Sequence, residues 1–133
     1  MEQFFNYRDL DFEVKNGIVK AHQESWKAIS NAGSFWSGKD RVQIAKQARS
    51  ARLQRRELPF NRSHPPCTLS NDALEAIHTI AADAHKIDKG WADSLIAKLG
   101  SGAYIEIASV VATVSAIDAF SEALGVDHGE FPE

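Results

Sequence analysis

Between Ile107 and Ile117 the chain carries no charged side chain, and apolar or small residues occupy every face of a helix. The stretch lies inside a longer helical pattern that Ser101 opens, running from Gly102 to Leu124 and closed by Gly125. A helix without a polar stripe is expected to be surrounded by other protein. The remaining chain must therefore supply helices that wrap it. No apolar run reaches the roughly 18–20 residues that a bilayer requires, so a membrane-spanning helix is not expected. The 133 residues amount to one domain, long enough to bury a core.

Apolar spacing upstream provides four wrapping helices. Asp9 or Asp11 is placed to cap a first helix reaching about Ser30, with Phe12, Ile18, Val19, His22, Trp26 and Ile29 as its apolar positions at helical spacing. Gly17 weakens its start by about 1 kcal/mol relative to Ala. Ser37-Gly38-Lys39-Asp40 resembles a capping box and opens a second helix from Gly38 to about Arg56. Pro59, Pro65 and Pro66 make Leu58 to Leu69 a loop. A third helix starts near Ser70 and fades by Lys86. Asp88 caps a short fourth helix that Gly100 stops. Val126 to Glu133 reads as a polar tail, loose unless it docks on a neighbour. With no strand longer than a few residues, the expectation is a single all-α domain over 1–133, with about five helices and an ordered core at 10–126.

Charge narrows the partners. The net charge is −3, yet Lys39 to Arg62 holds eight basic residues against Asp40 and Glu57, a local +6. Arg49, Arg52 and Arg56 share a helix face, with Arg55 and Arg62 nearby. No aromatic residue interleaves with them and no helix-turn-helix pattern accompanies them, so nucleic acid is not the expected partner. Pairing with acids of another subunit fits better. Met1 to Leu10 carries Glu2 and Asp9 and lacks a signal-peptide core, which makes the cytoplasm the expected location. Cys67 is the one cysteine, so neither an intramolecular disulfide nor a Cys-x-x-Cys pair can form.

The last third, LGSGAYIEIASVVATVSAIDAFSEALGV, resembles the C-terminal helix of the alkylhydroperoxidase D-like superfamily, which includes the carboxymuconolactone decarboxylases. Upstream, Trp26-Lys-Ala-Ile and Ser37-Gly-Lys-Asp-Arg-Val-Gln-Ile-Ala resemble the entry to that family's active-site helix. The similarity extends over about residues 20–126 and implies a helical fold and a homo-oligomer, dimer or larger. Peroxidatic members carry a Cys-x-x-Cys pair with a nearby His and an upstream Glu, a set that moves protons and activates a thiolate. Here the equivalent stretch, Ala48 to Glu57, contains no cysteine. Thiol peroxidase chemistry by the family route is not expected.

Several residues remain as candidates. Glu106 heads the apolar helix and is either a buried proton-transfer acid or a structural partner of an arginine, with Arg49 or Arg52 as the expected donor. His64 and Cys67 flank Pro65-Pro66 and are candidates for a nucleophilic pair or an inert loop thiol. Arg49, Arg52 and Arg55 are candidate ligands for a small anion. Glu75 and His78 form one Glu-x-x-His step, and His85 shares the face of His78. Helix-bundle di-metal sites need two such steps, so no metal and no other cofactor is expected. Phe35, Trp36 and Phe60 flank loops and are too large to leave in water without a partner surface. Three functions follow: a family member without the redox pair, whose substrate is open; a non-redox decarboxylase-type enzyme acting on a small anionic metabolite; or a non-catalytic interaction protein using its basic helix.

Overall fold

Five helices carry the fold in a computed structural model that describes Tyr7, Leu10, 12–54 and 65–132. They are α1 (Asn16–Ile29), α2 (Gly38–Gln54), α3 (Asn71–Asp83), α4 (Lys89–Leu99) and α5 (Ser101–Leu124). No strand occurs among the described residues. The protein is all-α, with a long apolar C-terminal helix. Helices α2, α3 and α5 pack mutually, α4 lies on α3 and α5, and α1 closes over α2 and α5. Ala45, Ala48 and Ala51 on α2 and Ala73 and Ala76 on α3 are wholly buried. Their small side chains let the backbones approach while Ile44, Ile77, Ile107 and Val114 fill the space between.

Local chemistry sets most of the boundaries. Ser70 Oγ accepts from the Ala73 N–H at 3.2 Å, and Asp88 Oδ1 accepts from the Trp91 N–H at 2.8 Å. Ser37 Oγ accepts from the Asp40 N–H at 3.1 Å, the forward half of the expected capping box. Gly125 sits in the left-handed region at φ 72° and ends α5, a conformation open to glycine. Helix α3 stops at Asp83, and the chain to Lys86 tightens into a 3₁₀ turn.

Four expectations change. Helix α1 begins at Asn16 behind Lys15, with no side-chain cap, rather than at an aspartate. Asp9 and Asp11 lie outside the described residues. The tail is not loose: the Trp26 Nε1–H donates to the Glu130 carbonyl at 2.7 Å, and Phe131 stacks on Trp26 with centroids 4.8 Å apart. Helix α5 is wrapped on only part of its circumference. Ile105, Ser109, Ala112, Ala116, Ala119 and Ala123 form an exposed, uncharged row. By length and composition α5 could also cross a membrane, because its few charges lie outside its apolar centre. In this fold those charges bind it to neighbouring elements.

Candidate functional site

The charged side chains of α5 decide what the candidate residues do. Glu106 sits beneath the turn that joins α1 to α2. Its Oε1 accepts the Ser34 N–H and its Oε2 the Trp36 N–H, both at 2.9 Å. Arg41 reaches the same carboxylate at 3.7 Å, and Arg41 Nε also donates to the Ile29 carbonyl at 3.1 Å. The carboxylate lies against Gly33, where a Cβ would overlap it. The Trp36 Nε1–H donates to the Ala103 carbonyl at 3.0 Å, a second tie between turn and helix. Glu106 thus has a basic partner from the second helix, as expected, but it is Arg41 rather than Arg49 or Arg52.

Those two arginines meet other acids. Arg49 clasps Asp118 in a two-pronged contact, Nε to Oδ2 at 2.8 Å and Nη2 to Oδ1 at 2.9 Å. Asp118 is 1 % exposed. A carboxylate so deep is tolerable because a planar guanidinium matches both of its oxygens. The guanidinium lies 4.0 Å from the centroid of Phe131 and 5.3 Å from that of Trp26, so the cation contacts both members of this stacked ring pair rather than lying between them. One turn on, Arg52 contacts Glu122 at 3.3 Å, and His128 Nε2 lies 2.8 Å from the same carboxylate oxygen. Among the described residues of α2, Arg41, Arg49 and Arg52 pair within their own chain, where pairing of Arg49 and Arg52 with acids of another subunit was expected. The three ion pairs occur in the same order along both helices, so α2 and α5 run in the same direction.

Around Asp118 stands an aromatic set. Tyr7, His22 and Phe120 meet edge to face, and the Tyr7 hydroxyl lies 3.3 Å from His22 Nδ1. Burial pushes the Tyr7 phenol up, a hydrogen bond with Ser121 acts against that, and the Asp118 charge adds to the rise. Burial lowers the His22 imidazole from its ordinary value. His22 is the packed histidine that its spacing suggested.

The remaining candidates separate. His78 Nε2 meets Gln47 Oε1 at 3.0 Å, while Gln47 Nε2 donates to the Pro65 carbonyl at 2.7 Å, so these groups anchor the loop entering α3. Glu75 and His85 are exposed. Among the described residues no three His, Cys, Asp or Glu side chains converge as metal ligands. Cys67 is a free thiol, half-buried in the loop before α3. His64, Arg55, Arg56, Arg62 and Phe60 lie outside the described residues. Phe35 is 62 % exposed and covers Gly102, whereas Trp36 is half-buried.

Sequence reasoning did not single out Asp118, Gln47 or Phe131. Asp118 had a visible signal, since it continues the buried stripe of Val110, Val111, Val114 and Ile117 and a carboxylate there requires a donor. Phe131 had none, because a docked tail depends on a surface formed by distant segments. No family model, no curated protein and no solved structure matches the chain.

Proposed function

We propose that this chain is an alkylhydroperoxidase D-like subunit that works as a homo-oligomer without thiol chemistry. The resemblance over about residues 20–126 and the single cysteine support the reading, and the engagement of its chemically suggestive groups supports the absence of acid or anion chemistry at Glu106, Arg49 and Arg52. Glu106 is held by two backbone N–H groups and Arg41, and Arg49 and Arg52 are held by Asp118 and Glu122. A proton-transfer acid or an anion-binding arginine has to face an incoming molecule. These face one another. Cys67 has no second cysteine with which to form a disulfide. With an organic hydroperoxide and a dithiol reductant, turnover should stay at background. Turnover that Cys67→Ser abolishes would overturn this reading.

The exposed row on α5 supports the oligomer. Its positions alternate four and three residues apart, the spacing at which helices pair. The alternation reads the same in both directions, so a second copy laid antiparallel places Ile105 against Ala123, Ser109 against Ala119 and Ala112 against Ala116. Antiparallel pairing also opposes the two helix dipoles favourably. The row from Ile105 to Ala123 is about 27 Å long, and the exposed Phe35 beside Gly102 extends it past Ile105. Light scattering at micromolar concentration should report a dimer or larger, and Ala116→Glu should reduce it to monomer without lowering helicity. A wild-type mass of 14.7 kDa under those conditions would contradict the oligomer.

A further inference from the structure

Next to the Arg49–Asp118 pair, α2 and the docked tail border an open, shallow cleft of about 360 Å³, whose described lining is Lys46, Arg49, Ser50, Leu53, Gln54 and Phe131. Clefts from about 300 Å³ upward accommodate small organic ligands. Lys46, Ser50 and Leu53 fall four and three residues apart, so one face of α2 presents them together.

The lining divides into a polar and an apolar part. Arg49 is committed to Asp118, but Lys46 is exposed and enters no ion pair among the described residues. Gln54 Nε2 donates to Ser50 Oγ at 2.9 Å, which uses that oxygen as acceptor and leaves its hydroxyl hydrogen to donate. Among the described residues, no carboxylate lines the cleft. Opposite stand Leu53, 38 % exposed, and the Phe131 ring. That ring is a fixed wall because Trp26 stacks on it and the Arg49 guanidinium covers it.

We propose that this cleft binds a small organic monocarboxylate with an apolar body, its carboxylate on Lys46 and Ser50 and its body against Leu53 and Phe131. An inorganic anion would leave the apolar wall in water, and a neutral apolar molecule would leave the ammonium without a counter-ion. A dicarboxylate would bring a second charge with no second uncommitted cation among the described lining residues. An exposed lysine contributes modestly to an ion pair, so the apolar contact carries most of the affinity and the charge sets the selectivity. The site depends on neither the family reading nor the oligomer.

Benzoate is the probe, titrated into the full chain and followed by tryptophan emission and by amide shifts in ¹⁵N-labelled protein. Trp26 reports because it stacks on Phe131. Benzoate should bind saturably, with shifts at residues 46–54 and at Glu130 and Phe131. Benzamide should bind about three- to fivefold more weakly, the size an exposed ion pair supports. Acetate, which has no apolar body, should not saturate. Lys46→Gln should weaken benzoate to the benzamide level, and Leu53→Asp should weaken it about tenfold or abolish it. Both positions are exposed, so the melting temperature of each variant should match wild type. Equal affinity for benzoate and benzamide, acetate binding as tight as benzoate, unchanged affinity in Lys46→Gln, shifts confined elsewhere, or no saturable benzoate binding would each overturn the proposal.

Discussion

Arg49→Met should destabilise the protein by about 3–5 kcal/mol, the cost of leaving a buried charge without its partner. For a chain of this length that corresponds to a fall in melting temperature of roughly 10–20 °C. Asp118 is 1 % exposed and takes two N–H groups from this one guanidinium. The same substitution removes the cation over Phe131, so the tail should loosen and the Trp26 indole N–H, which donates to the Glu130 carbonyl, should exchange faster. Replacing both partners separates charge from packing. Arg49→Met with Asp118→Leu should recover most of the lost stability, because no charge is then left buried. A single Arg49→Met variant melting within a few degrees of wild type would show that Asp118 is satisfied by other groups.

Glu106→Gln should cost about 1.5–3 kcal/mol, the value of hydrogen bonds to a charged acceptor. The carboxylate offers two oxygens to two N–H groups, and an amide offers one oxygen and an NH₂. Either Ser34 or Trp36 must then turn its N–H away from a group that can no longer accept it. Arg41 also loses its counter-charge. The damage should be local: faster amide exchange at Ser34 and Trp36, with α3 and α4 unaffected. Arg41→Met should cost less, since its contact at 3.7 Å is looser than the two N–H bonds. An unchanged melting temperature in Glu106→Gln would free this carboxylate from the structural role assigned to it and return it to candidacy as an acid.

Features made by neighbouring residues were legible in the sequence. Ser70, Asp88 and Gly125 mark boundaries through contacts within a few residues, and each performs that task in the fold. The start of α1 was not legible, because a helix can begin without a side-chain cap when packing holds it, and Trp26 and Ile29 anchor α1 from its far end. The need of Glu106 for a donor was legible from its place on an apolar helix. Which arginine answered was not, because that depends on how α2 lies against α5. The cleft was hidden for the same reason, with one wall coming from a tail whose docking no periodicity announces.

The like direction of α2 and α5 has a kinetic consequence. Arg49 and Asp118 are 69 residues apart in the chain, and Arg52 and Glu122 are 70 apart. Two helices that point the same way cannot be joined by a tight turn, so α3 and α4 must return the chain before either pair can form. The search for these contacts closes a long loop, and its entropy is lost before the contacts compensate for it. Helical proteins built from sequential hairpins avoid that delay. Here refolding should be slow for an all-helical protein of its size, with the native Asp118 environment formed late. Variants at Arg49 should accordingly accelerate unfolding far more than they slow refolding.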